Sequence, residues 1–352
     1  MLLRGGGWLS SMRFPRVLRF ILNALRMRFI THRPIFLSHM VTIQCDCRCL
    51  TCAYWKVGYQ EELATNEVCR MLDDAYSVGM TDYVVWGGEP LLRSDLPTLT
   101  KYANRLGFDV TIITNGSLLP KRIDEIAGDI YGLVVSIDHP DASKHDEMRG
   151  KTGVYRRAVE GVKRAKHHSH LNIFINCVVS KLNIDELERM VKLAEQLDVK
   201  ITFELMEVVP GYNEHLRPSN EEIFKSFMNL VELKRNGHPI ANSIAYLEGV
   251  AKQIPYICYV PEVLVTVEWN GNIRVCSTIS EKLKPRLKNA YLGNVKEKRF
   301  SEIFASEAYQ EYIQAAKRCC KCNLSYPREI ATLYSFNSKS VKNFISKVAK
   351  HQ

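Results

Sequence analysis

Six short apolar runs rich in valine, isoleucine and phenylalanine recur along the chain, at residues 35–43, 82–86, 109–114, 132–137, 172–179 and 200–208. The five gaps between them carry helical patterns at 65–78, 96–106, 121–126, 154–168 and 184–197. A further helix is expected over 220–235, behind the capping-box pair Ser219 and Glu222 and ahead of Gly237. Repeated strand–helix units have few physical solutions, because each strand must be covered and each crossover is right-handed. The pattern therefore predicts an α/β fold with a parallel sheet, closing into an incomplete (β/α)6 barrel whose chemistry lies at the strand C-terminal ends. At 352 residues and 46% hydrophobic content the chain has material for about two domains and a sizeable core.

Directly after the first strand stands Gln44-Cys45-Asp46-Cys47-Arg48-Cys49-Leu50-Thr51-Cys52. Cys45, Cys49 and Cys52 read C-x3-C-x2-C, and three thiolates on one short loop can ligate three irons of a [4Fe–4S] cube and leave the fourth open. Cys47 adds a fourth thiol, so a four-thiolate zinc site is the alternative. The chain has eleven cysteines, an odd number clustered at loop-scale spacings, which argues for metal ligation in a reducing compartment over a disulfide framework. A cytoplasmic location is expected.

The net charge of +10 sits at the two ends. Residues 1–40 carry seven arginines and no acid, and residues 339–352 carry four lysines and no acid. The body between is close to neutral, which argues against a nucleic-acid groove. Both ends are also amphipathic at helical spacing, through Phe14, Val17, Leu18, Ile21, Leu22, Leu25 and Phe29, and through Val341, Phe344, Ile345 and Val348. Such basic stripes either cap the folded body or lie on an anionic membrane surface, peripheral to its inner face.

Motifs follow the later strands too. Gly87-Gly88-Glu89-Pro90 ends the second, Thr114-Asn115-Gly116 the third and Val135-Ser136-Ile137-Asp138 the fourth, with His145-Asp146-Glu147-Met148-Arg149-Gly150 beyond. Taken with the cysteine loop, and in this order over residues 37–245, they resemble the radical S-adenosylmethionine (SAM) enzymes. The resemblance implies a partial TIM-like barrel and a [4Fe–4S] cluster on Cys45, Cys49 and Cys52. It implies SAM on the open iron, held by Gly87, Gly88, Glu89, Asn115, Ser136 and Arg149. It also implies reductive cleavage to a 5′-deoxyadenosyl radical, fed by a low-potential donor such as ferredoxin or flavodoxin. The chain departs from the family at Thr51, where an aromatic near the adenine is usual, while Tyr54 and Trp55 follow the loop instead.

The C-terminal third carries a second cysteine set. Residues 263–276 read as a β-hairpin with Asn270-Gly271 in its turn, returning Cys276 beside Cys258, and Cys319-Cys320-Lys321-Cys322 follows after a long gap. With Leu292-Gly293-Asn294-Val295 between, this resembles the SPASM and Twitch auxiliary-cluster domains. No further cysteines follow Cys322, so the resemblance implies one auxiliary [4Fe–4S] cluster on Cys258, Cys276, Cys319 and Cys322, with Cys320 or a structural zinc as alternatives. His167, His168 and His170 end a basic helix and read as a solvated face; Cys69 and Cys177 read as core thiols; Glu204 faces either side of its strand.

The expected organisation is a basic helix at 1–35, a barrel at 36–245, a small hairpin and helix domain for the auxiliary cluster at 246–328 and a basic tail at 329–352. The expected activity is hydrogen abstraction from a lipid, an isoprenoid or a peptide. The alternative from another class is a non-catalytic iron–sulfur or zinc module.

Overall fold

The computed structural model describes residues 33–276, 291–319 and 322–334. Both amphipathic terminal patterns and Cys320 lie outside the described residues. The six expected strands form, as β1 (Phe36–Thr42), β2 (Asp82–Gly87), β3 (Asp109–Thr114), β4 (Gly132–Ser136), β5 (Asn172–Val179) and β6 (Lys200–Leu205). Among the described residues they pair in chain order, all parallel, within one nine-stranded sheet.

Between them run α1 (Thr65–Ser77), α2 (Leu96–Leu106), α3 (Leu119–Ile126), α4 (Ala142–Arg149), α5 (Val154–Ala165) and α6 (Leu187–Leu197), with α7 (Asn220–Arg235) and α8 (Ile244–Ala251) after β6. The period-2 alternation of each strand sorts its side chains between the two faces of the sheet. Leu37, Tyr83, Val110, Ile112, Leu133, Ile175 and Ile201 belong to the main core and are almost fully buried. Burying each such side chain contributes about 1.5–3 kcal/mol. The alternate positions are less covered: Ser136, Asn176 and Thr202 lie opposite one another on β4, β5 and β6 and are only half-buried.

β7 (Leu264–Val267) pairs parallel with the free side of β1, and β8 (Asn272–Arg274) and β9 (Tyr291–Asn294) follow antiparallel. The hairpin with Asn270-Gly271 in its turn thus forms, and it extends the barrel sheet. Asn294 Nδ2 locks it by donating to Asn270 O at 3.2 Å and to Asn272 Oδ1 at 2.9 Å. α9 (Phe300–Ala305), α10 (Glu307–Lys317) and α11 (Ser325–Tyr334) complete the described chain.

Two expected boundaries run through helices. α8 crosses 245/246, and α11 crosses 328/329, with Ala331 buried and Glu329 Oε1 accepting from Ser243 N at 2.6 Å. Helix α11 therefore continues past the expected start of the tail, to Tyr334. Among the described residues no helix is long and apolar enough to cross a membrane.

The capping box of α7 forms as its spacing predicts: Ser219 Oγ accepts from Glu222 N at 3.2 Å and Glu222 Oε2 from Ser219 N at 2.7 Å. Ser219→Ala is expected to cost about 1 kcal/mol, read as a lower urea midpoint with an unchanged slope.

Candidate functional site

Parallel pairing places the exits of β1 to β6 along one rim, and every sequence-predicted residue of the first site lies there. The cysteine loop leaves β1, the central strand of the site, which is held by β2 on one side and β7 on the other. Gly88 N donates to Thr42 O at 2.8 Å and Glu89 N to Gln44 O at 2.7 Å, so the Gly-Gly-Glu segment runs alongside the start of that loop. A Cβ on Gly88 would stand 2.1 Å from Gln44 O, which is why only glycine fits. From the far side, Arg48 N donates to Arg149 O at 2.9 Å and Leu50 N to Met148 O at 3.0 Å. Gly150, at φ +59°, lets the backbones meet; a Cβ there would lie 2.5 Å from Arg48 O.

The loop packs Cys47, Cys49 and Val154 together, with Cys45 and Cys52 against them. Cys47 is fully buried, and the neighbouring thiols of Cys45 and Cys49, together with burial, raise its pKa. The hydrogen bond from Cys47 and the nearby guanidinium of Arg149 lower Cys49 to about 6, whereas burial pushes Cys52 up to about 11. Arg149 Nη1 lies 3.9 Å from Cys49 Sγ, and Nη2 pairs with Asp138 Oδ2 at 2.7 Å. Burial disfavours the guanidinium cation, yet Asp138 and Cys49 hold its pKa raised. Arg149 Nε is buried with no hydrogen-bond partner among the described residues. Convergent thiols beside a cation with an unspent donor fit an anionic thiolate-bound cluster with a ligand at its open iron.

Several anchors of this loop have no signature in the sequence. Tyr212 OH donates to the carbonyls of Cys49 at 3.2 Å and Cys52 at 3.1 Å, and Asn213 Nδ2 to Thr51 O at 2.9 Å. Trp55 Nε1 donates to Cys49 O at 3.3 Å. These groups satisfy the main chain between the second and third cysteines. The stretch after β6 that supplies two of them has no periodic pattern to reveal it.

The remaining candidates divide. The Glu89 side chain is fully buried and committed to the protein, accepting from Leu91 N at 3.0 Å, Thr114 Oγ1 at 2.7 Å and Asn115 N at 2.7 Å. Asn115 accepts from Ser117 N at 2.8 Å and donates to Asp46 Oδ1 at 2.8 Å, with Cys47 Sγ 3.2 Å from the same nitrogen. Ser136 stays on the half-buried row with Asn176 and Thr202. Tyr54 turns toward the barrel mouth and meets Trp86 edge-on, with ring centroids 6.1 Å apart, next to Met40, Ile43 and Trp269. Glu204 is half-buried and accepts from Ser325 N at 2.9 Å at the start of α11. Cys177 is a core thiol, and His168 and His170 bond Asp124 and the Ala127 carbonyl.

The second cysteine set also converges. Cys258, Cys276 and Cys322 are buried, and Cys258 lies within electrostatic reach of Cys276, Cys319 and Cys322. Burial pushes Cys258 up to about 12 and Cys322 up to about 11. Tyr312 OH accepts from Cys276 N at 3.1 Å, and Tyr326 OH lies 3.7 Å from Cys276 Sγ. Four thiols within electrostatic reach of one another, with the Arg328 guanidinium beside Cys322, suit a metal centre, which removes the protons that burial otherwise retains.

Burial raises Glu89 to about 7 against an ordinary value of 4.5. The native state then holds this proton more tightly than the unfolded chain. Its contribution is full below pH 4.5 and lost as pH rises through 7. Glu89→Gln is expected to remove this part of the fall in stability, measured by urea unfolding across that window.

Residues 40–194 match the radical SAM superfamily, and residues 258–323 match the SPASM iron–sulfur cluster-binding domain. An AdoMet-dependent heme synthase of Methanosarcina barkeri is 30% identical over 185 residues, covering 51% of this chain and 52% of that protein. A GTP 3′,8-cyclase of Marinobacter nauticus is 31% identical over 170 residues, covering 46% of this chain and 51% of that protein. The chain thus spans about half the length of these curated relatives. In fold it is similar to Streptococcus suis SuiB bound to S-adenosylmethionine, with a TM-score of 0.69 at 17% identity over 87% of this chain and 75% of that one. It is also similar to anSMEcpe with bound AdoMet, with a TM-score of 0.64 at 18% identity over 89% of this chain and 96% of that one. A radical SAM domain works with a [4Fe–4S] cluster and SAM, and a SPASM domain with auxiliary iron–sulfur clusters. Residues 40–194 thus carry a radical SAM domain, and residues 258–323 a SPASM iron–sulfur cluster-binding domain after the barrel.

Proposed function

We propose that this protein cleaves SAM reductively and uses the resulting 5′-deoxyadenosyl radical to take hydrogen from a lipid, isoprenoid or peptide substrate. The observation that carries the reading is the convergence of Cys45, Cys49 and Cys52 at the exit of β1 with Arg149 beside them. When bound, a reduced [4Fe–4S] cluster on these thiolates supplies the electron for the cleavage.

The protein's own residues hold, orient and shield. Arg149 keeps a positive charge against Cys49 and offers its free Nε to an anionic group such as a carboxylate. Tyr212, Asn213 and Trp55 fix the loop carbonyls, which keeps the thiolates in one geometry. Met40, Ile43, Tyr54, Trp86 and Trp269 form an apolar wall at the mouth and exclude water. That wall supports an apolar substrate portion. The buried Trp269 Nε1, without a partner among the described residues, supports one polar acceptor on it.

A peptide-modifying enzyme is the second reading, supported by the fold shared with SuiB, which has also been described bound to its precursor peptide SuiA. The closed set Cys258, Cys276, Cys319 and Cys322 would hold one auxiliary cluster, with no position left open for substrate and a role in electron transfer. A ferredoxin or flavodoxin would supply the electrons.

Anaerobic reconstitution tests the activity. The wild type is expected to form 5′-deoxyadenosine and methionine from SAM under low-potential reductant, whereas Cys45→Ala, Cys49→Ala and Cys52→Ala lose it and Cys47→Ala retains it. Cys258→Ala is expected to lose the iron of one cluster and keep SAM cleavage. A wild type that carries iron but leaves SAM intact sinks the proposal. The basic ends motivate a peripheral membrane location; pelleting with anionic liposomes equally well without residues 1–33 removes its support.

A further inference from the structure

Asp46 lies inside the cluster loop, one residue after Cys45, and no family motif assigns it a task. Its carboxylate collects three donors from two other rim segments. Asn115 Nδ2 donates to Oδ1 at 2.8 Å, Ser117 Oγ to Oδ2 at 2.6 Å, and Lys151 Nζ pairs with Oδ2. The pair is partly sheltered, with side chains 18% and 27% exposed for Asp46 and Lys151.

The donors are themselves fixed. Ser117 N bonds Asn115 Oδ1 at 2.8 Å, so the two β3-exit donors are set by one turn. Asn115 N is in turn held by the buried Glu89 carboxylate at 2.7 Å. A continuous path of hydrogen bonds therefore leads from the exit of β2, through the exit of β3, to the first residue after Cys45. The middle of the loop is held differently, by main-chain bonds from Arg48 and Leu50 to Arg149 and Met148. Its end is held by Tyr212, Asn213 and Trp55. Asp46 provides the side-chain anchor at the start of the loop.

We propose that Asp46 is a positioning residue that fixes the cysteine loop through Asn115, Ser117 and Lys151, and that with Lys151 it sets the charge next to the loop cluster. This rests on the reading that Cys45, Cys49 and Cys52 hold that cluster. A buried-edge carboxylate with three donors cannot be replaced by a neutral acceptor, because an amide brings its own N–H groups against Lys151 and leaves the ammonium uncompensated. Removing a group that orients a metal ligand typically weakens metal retention about 10- to 100-fold. The charge pair makes a second, signed demand: losing the anion favours the reduced, more negative cluster, and losing the cation opposes it.

The test uses the full chain with both clusters reconstituted anaerobically, followed by electron paramagnetic resonance during challenge with an iron chelator. The signal that changes on adding SAM reports the loop cluster, and the signal that does not reports the auxiliary cluster. In Asp46→Ala the SAM-sensitive signal is expected to decay about 10- to 100-fold faster than in wild type, while the other decays at the wild-type rate. In redox titrations Asp46→Asn is expected to raise the midpoint potential of the SAM-sensitive signal and Lys151→Met to lower it. Decay of Asp46→Ala at the wild-type rate, equal acceleration of both signals, or shifts of the same sign in Asp46→Asn and Lys151→Met would each overturn the proposal. If the wild type itself shows no SAM-sensitive signal, the cluster reading falls first and this inference with it.

Discussion

Parallel pairing in register is the constraint on which the rest of this protein depends. Because β1 to β6 all run one way and neighbour one another in chain order, their exits share one rim. Segments distant in sequence, such as Gln44-Cys45 and Gly88-Glu89, then meet as backbones. A slip of one residue would turn each strand over and exchange the covered and open faces, so the apolar pattern that builds the core also fixes where the chemistry emerges.

Gathering so many polar groups on one rim is costly unless each finds a partner, and the rim residues show how that cost is met. Glu89, Asp138 and Asp46 are carboxylates with little access to water, and each accepts several hydrogen bonds or faces a cation. Such groups contribute little net stability, since desolvation consumes most of the attraction, but removing one partner leaves a buried charge unmatched. Their value is geometric. Glu89 ties the exits of β2 and β3, Asp46 ties the cysteine loop to β3, and Asp138 holds Arg149 beside Cys49.

The auxiliary region is joined to the barrel through the same sheet. β7 lies against β1, so the strand that launches the first cysteine set is bonded to the hairpin that returns Cys276. α11 closes the other side: Glu204 on β6 accepts from Ser325, and Arg328 bonds Cys322 O at 3.0 Å and Ile254 O at 2.9 Å. The two thiol sets are therefore attached to one hydrogen-bonded framework.

The sequence by itself determined the six strands, five of them to within one residue at each end and the sixth overrun by three beyond Leu205, the capping box of α7, the hairpin with Asn270-Gly271 in its turn and the spacing of both cysteine sets. These are local properties, written in side-chain periodicity, turn chemistry and loop-scale ligand spacing. It left unseen α4, whose polar composition masks its helical period, although that helix carries His145 and Arg149. Only the tertiary structure decided that Glu89 and Asn115 spend their side chains inside the protein, that Cys47 is buried among the loop thiols, that Glu204 reaches α11, and that Asp46 finds Asn115, Ser117 and Lys151. Each of those outcomes depends on which strand exits lie side by side and which way a rim side chain turns. Spacing along the chain carries neither, because partners such as Glu204 and Ser325, 121 residues apart, meet only once the sheet and the elements packed on it have formed.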